Sequence, residues 1–236
     1  MEYKEFEKEF LVELDKNNIK NVTNSEKFYK YMKLLLEWNE KINLTAIKDE
    51  KEFIIKHFID SLTINNYIKN SKSLIDVGTG AGFPGIPLKL FNENLSVTLI
   101  DSVNKKINVL QDIIEKLELN NIRAIHTRAE DFAKDNKEKY DIAVSRAVAN
   151  MSTLVEYLIP FVKLNGIIIC MKGPNFEEEL NSAKKAITVL GGTIEKVESF
   201  YINKELERNV IIIRKIKETP KKYPRGQSKP LKEPIK

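Results

Sequence analysis

Residues 73–85 read SLIDVGTGAGFPG and decide the fold that the sequence predicts for this chain. A short apolar run ends in the carboxylate of Asp76, four glycines follow within eight residues, and a helical pattern begins at Ile86. This order is typical of a buried strand, a tight turn and the N-terminus of a helix. Glycine permits positive φ and close approach of a ligand to the main chain. The helix N-terminus adds free N–H groups, so the stretch predicts a ligand-binding turn.

Three kinds of glycine-rich turn can be compared with this pattern. A phosphate-binding P-loop requires Lys and then Ser or Thr after its last glycine, whereas Phe83 and Pro84 follow Gly82. A dinucleotide-binding turn requires Gly or Ala three residues after Gly80, where the large ring of Phe83 stands. The remaining pattern, Asp-x-Gly-x-Gly-x-Gly from Asp76 onward, resembles the first motif of Rossmann-like methyltransferases that use S-adenosylmethionine (AdoMet). AdoMet carries no phosphate and so tolerates the bulky residue; a turn without any ligand is the alternative.

The rest of the chain predicts an α/β fold around this turn. Apolar residues at helical spacing predict three helices before residue 70. From residue 73 onward, short apolar runs alternate with helical patterns, which is typical of parallel βα units. The predicted strands begin at 73 and then cover 96–100, 122–126, 140–144, 166–171, 193–202 and 209–213. The connection at 203–208 is short, so the last two strands are expected to form an antiparallel hairpin.

The predicted fold class is therefore α/β, a Rossmann-like class I AdoMet-dependent methyltransferase fold. Its seven-stranded sheet is mostly parallel, with a C-terminal antiparallel hairpin and an N-terminal helical extension. Three parts are expected along the chain. They are a helical extension at 1–70, an AdoMet-binding methyltransferase domain at 71–216, and a basic, proline-containing tail at 217–236.

Composition limits the class of protein. The net charge is +5, and residues 214–236 hold nine basic and two acidic side chains, so the positive excess lies in the tail. Such a segment attracts polyanions, although a solvated lysine-rich tail is the alternative. No apolar run approaches the roughly 20 residues that span a bilayer, and the N-terminus lacks a secretory signal. A single cysteine excludes a disulfide framework, so we expect a cytoplasmic protein with no membrane partner.

Polar residues at the ends of the predicted strands form the candidate site, because ligands of open α/β sheets bind beyond the carboxyl ends of the strands. Asp101 ends the second strand, 25 residues after Asp76, and could bind ribose hydroxyls or cap the following loop. Ala129 and Glu130 follow the third strand, where backbone N–H groups could contact adenine. Glu130 could equally cap a short helix. Arg146 ends the fourth strand, where the methyl acceptor normally lies in this fold.

The residues around Arg146 restrict the chemistry. Enzymes that methylate exocyclic amines of adenine or cytosine carry an acidic or Asn residue, Pro-Pro and an aromatic residue here, and Ser145-Arg146-Ala147 has neither the prolines nor the aromatic residue. Cytosine C5 enzymes need a nucleophilic cysteine, but Cys170 lies inside an apolar predicted strand, which favours a core thiol. His57 and His126 have no partners at metal-ligand spacing, so no metal site is predicted. An acceptor that needs orientation rather than activation fits best.

Several motifs together resemble the RsmG (GidB) family, the bacterial guanine-N7 methyltransferases of small-subunit rRNA. They are DVGTGAGFPGIPL at 76–88, HFIDSL at 57–62, RAE at 128–130, SRA at 145–147, KG at 172–173 and YPR at 223–225. The resemblance spans nearly the whole chain, and the GFPGIP extension is more specific than the glycines alone. Thr79 stands where many members carry serine.

The resemblance implies methyl transfer from AdoMet to N7 of one guanine of 16S rRNA, on free rRNA or a small-subunit precursor, by a monomer. It implies no catalytic acid or base and no metal, because N7 carries a lone pair and no proton. The cofactor-binding residues it implies are Gly78, Gly80, Phe83, Asp101, Ala129, Glu130 and Arg146. The candidates for RNA contact are Arg146, Lys172, Arg123, Arg208 and Arg225.

Some alternatives stay open at this stage. Arg146 could bind the methionine carboxylate of AdoMet or the O6 edge of guanine. Arg123 and Arg208 could be ordinary surface cations. A small-molecule methyltransferase, or an RNA-binding assembly factor without activity, could share this fold.

Overall fold

A computed structural model describes residues 1–146 and 149–235 of the chain. The helices are α1 (Tyr3–Lys16), α2 (Ser25–Asn39), α3 (Glu50–Phe53), α4 (Asp60–Leu62), α5 (Asn65–Ile68), α6 (Gly85–Phe91), α7 (Asn104–Lys116), α8 (Ala129–Asn136), α9 (Met151–Leu158), α10 (Phe176–Val189) and α11 (Lys229–Lys232). The strands are β1 (Ser73–Val77), β2 (Ser96–Asp101), β3 (Ile122–His126), β4 (Tyr140–Arg146), β5 (Val162–Lys172), β6 (Gly192–Ile202) and β7 (Leu206–Lys215). A π-helical segment, Ile54–Ile59, joins α3 to α4, and a short 3₁₀ turn, Ile159–Phe161, precedes β5.

The seven strands form one sheet in the order β3-β2-β1-β4-β5-β7-β6. Strands β1 to β5 pair with one another in parallel, whereas β7 is antiparallel to both β5 and β6. The predicted mostly parallel sheet with a C-terminal antiparallel hairpin is thereby confirmed. Because β1 lies between β2 and β4, its carboxyl end is at the centre of the edge where parallel sheets bind ligands.

Helices cover both faces of the sheet. Because successive strand residues point to opposite faces, β1 contributes to the core on each side. Leu74 packs into a core with the N-terminal helices, α6 and α7. Ile75 and Val77 pack into a second core with α9 and α10. Cys170 is fully buried in this second core, as expected for a core thiol, and burial raises its pKa to about 12.

Strand β5 differs from its prediction. It begins at Val162 rather than at residue 166, and Lys163, Leu164 and Asn165 within it are exposed. Their mixed polarity gives no apolar pattern, so the sequence could not reveal this part of the strand. The pairing of β4 with β5 also changes register between Tyr140 and Ile142. The early residues of β5 therefore lie outside the regular ladder that continues from Ile167.

The N-terminal helices support the glycine-rich turn. Tyr31 of α2 is fully buried, and its hydroxyl donates a hydrogen bond to the carbonyl oxygen of Ala81, with an O–O distance of 2.6 Å. Phe58 of the π-helical segment contacts the rings of Phe28 and Phe83. The predicted extension thus packs beneath the turn. None of the helices within residues 1–146 and 149–235 combines the length and apolar character needed to cross a membrane.

Candidate active site

A cavity of about 520 Å³ opens at the carboxyl ends of β1, β2 and β4. This is the place where the topology predicts a ligand, because the chain leaves β1 toward one side of the sheet and β4 toward the other. Its walls combine the strand ends with α8, α9 and the C-terminal residues. The lining residues are Val77, Gly78, Ile100, Asp101, Ser102, Lys106, Thr127, Arg128, Ala129, Glu130, Arg146, Tyr157, Ser228 and Leu231.

Two glycines show why the turn has its composition. Gly82 has φ of 98°, and a Cβ at this position would lie 2.6 Å from the hydroxyl oxygen of Tyr31. A side chain is therefore excluded there by both strain and contact. Gly80 has φ of 60°, but no heavy atom lies within 4 Å of the place its Cβ would take. The main chain at Gly80 is thus open to an approaching group.

Asp76 is a buried carboxylate directly below the turn. Its Oδ2 accepts hydrogen bonds from the Thr79 hydroxyl at 2.8 Å and from the Gly85 N–H at 2.9 Å. Within the described residues, its Oδ1 has no hydrogen-bond partner although it is buried. Burial raises the pKa of Asp76 to about 7, against the lowering effect of the two hydrogen bonds. A buried polar atom without a partner is unusual and marks a position where a ligand group or water would be stabilised.

Asp101 lies on the cavity wall at the end of β2 and is largely buried. Its Oδ2 accepts the N–H of Gly80 and its Oδ1 accepts the N–H of Val103, both at 2.9 Å. A carboxylate has about four acceptor sites, so about two remain for hydroxyl donors in the cavity. The cap expected as one alternative is present, and it leaves the other role, ribose binding, available.

Ala129 and Glu130 begin α8 and are both on the cavity wall. The first N–H groups of a helix have no intrahelical partner, so this helix start can donate to a ligand acceptor. The Glu130 carboxylate accepts a 3.3 Å hydrogen bond from the N–H of Ser228. The sequence indicated the position of both residues but not the contact with the C-terminal residues.

Arg146 reaches the cavity from the end of β4 and is held by the π-helical segment and α4. One nitrogen, Nη1, donates to the carbonyl oxygen of Lys56 and to Asp60 Oδ2, each at 3.0 Å. The other, Nη2, lies 3.1 Å from His57 Nδ1. Because a guanidinium only donates, His57 Nδ1 must accept, and its Nε2 then carries the proton and donates to the Thr45 hydroxyl at 2.8 Å. Burial, assisted by the charge of Arg146, lowers the pKa of His57 to about 3 and keeps the ring neutral.

Phe83 lies in the core beneath Arg146, 3% exposed. Its ring stacks on His57 with a centroid distance of 4.3 Å, and the Arg146 guanidinium lies 5.0 Å from its centroid. Of the seven residues expected to bind the cofactor, five line the cavity, while Gly80 and Phe83 do not. Gly80 touches the site through its hydrogen bond to Asp101, and Phe83 touches it through Arg146.

Asp60 is a residue that the sequence reasoning missed. It is 2% exposed, and its Oδ1 accepts a hydrogen bond from Arg208 Nε at 2.8 Å, so one carboxylate joins Arg146 to Arg208. The antiparallel direction of β7 brings Arg208 to the carboxyl end of β5. The available clue was the motif HFIDSL at 57–62, whose His57 and Asp60 are three residues apart on one helical face.

The other candidate cations are placed differently. Lys172 ends β5 and donates to the carbonyl oxygen of Ala149 at 2.5 Å and to Glu179 at 2.8 Å, so it holds the loop after β4. Ala147, part of the predicted motif, lies outside the described residues. Arg123 is near the amino end of β3, away from the cavity, where its Nε donates to the Thr98 hydroxyl at 3.2 Å. The structure therefore joins Arg208 to Arg146 through Asp60, places Lys172 at the carboxyl end of β5 with partners of its own, and leaves Arg123 at the opposite edge.

Arg225 faces the protein interior. It forms a two-bond ion pair with Glu156 of α9, a carboxylate that is fully buried. His126, considered and set aside from the sequence, has its Nε2 3.1 Å from the carbonyl oxygen of Ser102. Neither side chain is directed by these contacts into the group around Arg146.

Comparisons with known proteins agree with this geometry. A family model described as GidB, rRNA small subunit methyltransferase G, matches residues 24–211. A protein named "Ribosomal RNA small subunit methyltransferase G" from Clostridium botulinum (strain Eklund 17B / Type B) is 54% identical over 216 residues, covering 89% of this chain and 90% of that protein. A protein of the same name from Alkaliphilus oremlandii (strain OhILAs) is 50% identical over 212 residues, covering 88% of this chain and 89% of that protein.

Solved structures share the fold at low sequence identity. M. jannaschii TYW2 in complex with AdoMet matches with a TM-score of 0.55 and 19% identity, covering 67% of this chain and 76% of that chain. NSun6 from Pyrococcus horikoshii with SFG matches with a TM-score of 0.57 and 15% identity, covering 74% of this chain and 57% of that chain. These likenesses show the fold, which confirms the predicted fold class. Because the family model spans most of the chain and the relatives are about half identical over nearly their whole length, the chain belongs to the rRNA small subunit methyltransferase G (GidB) family.

Proposed function

We propose that this chain transfers a methyl group from AdoMet to N7 of a guanine in 16S rRNA. The observation that carries the proposal is the cavity at the carboxyl ends of the parallel strands, where the glycine-rich turn, Asp101 and Arg146 meet. Family membership supports the rRNA substrate. The N7 position rests on the resemblance described for the sequence. The enzyme is expected to act as a monomer in the cytoplasm, on free rRNA or on a precursor of the small subunit.

The residues of the cavity fit AdoMet. The charged side chains that line it include the acidic Asp101 and Glu130 and the basic Lys106, Arg128 and Arg146, so the cavity offers partners for both the positive and the negative groups of AdoMet. The acceptor sites of Asp101 that the described residues leave free suit ribose hydroxyls. Asp76 Oδ1, which has no hydrogen-bond partner among those residues, suits a donor. Ile100 and Ala129 offer an apolar wall for a purine ring. When bound there, AdoMet would supply a methyl group on a positively charged sulfur.

The side chains around the cavity orient and do not transfer protons. Guanine N7 has a lone pair and no hydrogen, so its methylation needs no general base. His57, a titratable group in contact with Arg146, has Nδ1 occupied by that guanidinium and Nε2 occupied by Thr45. It is therefore unable to accept a proton from a substrate. Holding the two reactants in line is the main contribution left to the protein, and orientation alone can lower a barrier by about 7 kcal/mol or more.

Arg146 keeps two roles available. Described residues use three of its five N–H donors, those directed to Lys56, Asp60 and His57. The remaining donors could bind the methionine carboxylate of AdoMet or guanine O6. Arg208 is joined to Arg146 through Asp60, and Lys172 ends β5, the strand beside β4. Positive charge thus lies at the carboxyl ends of these strands, where RNA phosphates would approach. We propose this group as the RNA-binding edge of the site.

The test is mass spectrometry of nucleosides from 16S rRNA, after incubation of the purified chain with AdoMet and with rRNA or small subunits that lack the modification. We expect one 7-methylguanosine per rRNA molecule and a matching signal in cells that contain the protein but not in cells without it. Methylation of a small metabolite with no change in rRNA would contradict the proposal. Failure to bind AdoMet in calorimetry would indicate an RNA-binding factor without activity.

A further inference from the structure

The C-terminal segment, residues 223–235, folds back onto α9. Tyr223 and Pro230 are buried, although the sequence suggested a solvated or RNA-binding tail. Arg225 holds the segment through Glu156, with Nη2–Oε2 of 2.7 Å, Nε–Oε1 of 3.0 Å and a backbone N–H to Oε1 at 2.8 Å. A bidentate pair with a fully buried carboxylate fixes position strongly, because breaking it would leave that charge buried and unpaired.

The same segment is tied to the walls of the cavity. The Thr153 hydroxyl donates to the carbonyl oxygen of Pro230 at 2.9 Å. Arg128 Nη1 donates to the Ser228 hydroxyl at 2.6 Å, and the Ser228 N–H donates to Glu130 at 3.3 Å. Arg128, Glu130 and Ser228 all line the cavity. The segment is thus attached to the cavity walls themselves and not only to the outer surface of the domain.

Leu231 is the feature that points to a ligand. It lines the cavity, yet 63% of its surface is exposed, so the fold itself gains little from its apolar side chain. Tyr157, Ile100 and Ala129 line the same cavity. An apolar ring placed among these four side chains would cover Leu231 and remove its surface from water. The purine of AdoMet is the apolar part of the proposed cofactor.

We propose that the C-terminal segment is part of the AdoMet site, with Leu231 in contact with the cofactor and the Arg225–Glu156 pair as the positioning contact. The inference rests on the proposed function for the identity of the ligand. Arg225, which the sequence suggested as an RNA contact, then acts on cofactor affinity. The adjacent Lys222 is exposed and lies over the ring of Tyr223. Lys222 carries the same charge as Arg225, but no buried carboxylate of the described residues pairs with it as Glu156 pairs with Arg225.

The first experiment measures AdoMet affinity by isothermal titration calorimetry for Leu231→Ala and Leu164→Ala. Both leucines are exposed, at 63% and 49%, but Leu164 lies at the amino end of the sheet. We expect Leu231→Ala to weaken AdoMet binding about fivefold to tenfold, in proportion to the apolar area that the ligand covers. Leu164→Ala should match wild type, and neither variant should lower the thermal midpoint appreciably. Equal affinities for the two variants would overturn the inference.

The second experiment tests the positioning contact. Arg225→Ala should weaken AdoMet binding about tenfold or more, whereas the charge-matched Lys222→Ala should not. In the double variant Arg225→Ala/Leu231→Ala, the loss from Leu231 should largely disappear, because a released segment no longer presents it. Additive losses would show that Arg225 acts only on folding and would overturn its positioning role. If wild type itself binds no AdoMet, the proposed function fails; if wild type binds and all variants match it, only this inference fails.

Discussion

Two aspartates at opposite edges of the same sheet have opposite surroundings. Asp141, at the amino end of β4, accepts hydrogen bonds from the N–H groups of Lys72 and Ser73 at 2.9 Å, from the Ser73 hydroxyl at 3.1 Å and from Lys163 Nζ at 2.8 Å. Its partial burial acts to raise its pKa, but these donors hold the pKa below the ordinary value. Asp76, at the carboxyl end of β1, has one oxygen without a partner among the described residues and a pKa raised to about 7.

The difference separates a structural carboxylate from one placed for a ligand. The amino edge uses Asp141 to join two strands, and its hydrogen-bonding capacity is nearly filled by the chain. At the carboxyl edge, the described residues leave hydrogen-bond acceptor sites of Asp76 and Asp101 unfilled, at a cost in stability that a ligand can offset. Substitutions at the two edges should therefore affect different measurements, and four predictions test this division.

The largest effect is expected for a carboxylate added to the cavity. Gly78→Asp places a negative side chain on the wall beside Asp101, where it occupies ligand space and repels that carboxylate. We expect AdoMet affinity to fall by about 100-fold or more in calorimetry. The matched control is Ser96→Asp, which adds the same charge at the exposed amino end of β2. A similar loss in both variants would mean that the two edges do not differ.

Smaller effects are expected for the two aspartates, on stability for Asp141 and on AdoMet affinity for Asp76. Asp141→Ala removes the acceptor for four donors and should lower the free energy of unfolding by about 2 kcal/mol, with AdoMet affinity unchanged. Asp76→Asn keeps an acceptor for Thr79 and Gly85 but removes the buried charge. It should leave stability at neutral pH equal or higher while weakening AdoMet binding. Urea denaturation and calorimetry on both variants measure the two quantities, and parallel behaviour would refute the division.

The pH dependence of stability should separate Asp76 from His57. Between about pH 4 and pH 7, native Asp76 keeps a proton that the unfolded chain has lost, so its contribution to stability falls as pH rises. Between about pH 3 and pH 6.5, buried His57 stays neutral while the unfolded chain binds a proton, so its contribution rises with pH. These slopes oppose each other in wild type. Asp76→Asn should leave a rising curve and His57→Gln a falling one in denaturation across this range; curves parallel to wild type would contradict both assignments.

The smallest effect concerns RNA binding at the two edges. Arg208→Ala should weaken binding of 16S rRNA a few-fold and reduce the slope of affinity against salt by about one, because one phosphate contact is lost. Arg123→Ala, at the amino edge, should change affinity less than about twofold with the salt slope unaltered. Filter binding at several salt concentrations measures both. An effect of Arg123 equal to that of Arg208 would place RNA on the amino edge as well.

The turn at 73–85 could be predicted from sequence because its determinants are local. Positive φ, the acid at the strand end and the helix start all lie within thirteen residues. Strand β3 was predicted with the bounds that the structure shows, since its ends are marked by polar residues. The amino-edge position of Arg123 was also readable, because it is the second residue of that strand. The charge of Arg123 suggested contact with RNA, but the amino end of β3 lies away from the cavity.

The other parts of the site depend on contacts between distant residues. Asp60 meets Arg146 across 86 positions and Arg208 across 148, and no periodic pattern records such pairs. The C-terminal segment looked like a basic tail because its positive charge was visible, whereas the buried carboxylate of Glu156 that receives Arg225 lies on another helix. Charge patterning predicts the presence of cations, but the partner of each cation is set by the tertiary fold.

The π-helical segment Ile54–Ile59 has a consequence for how this region tolerates changes in length. Each turn of a π-helix holds about one residue more than a turn of an α-helix. The number of residues in this segment therefore fixes the direction of the Asp60 side chain relative to α3. Deleting one residue while α-helical bonding resumes would remove the extra residue of the wider turn, so Asp60 would keep its direction toward Arg146 and Arg208. Inserting one residue in α-helical geometry would instead rotate Asp60 by about 100° about the helix axis and take its carboxylate away from both guanidinium groups. Single-residue insertions in this segment should therefore be more harmful than single-residue deletions.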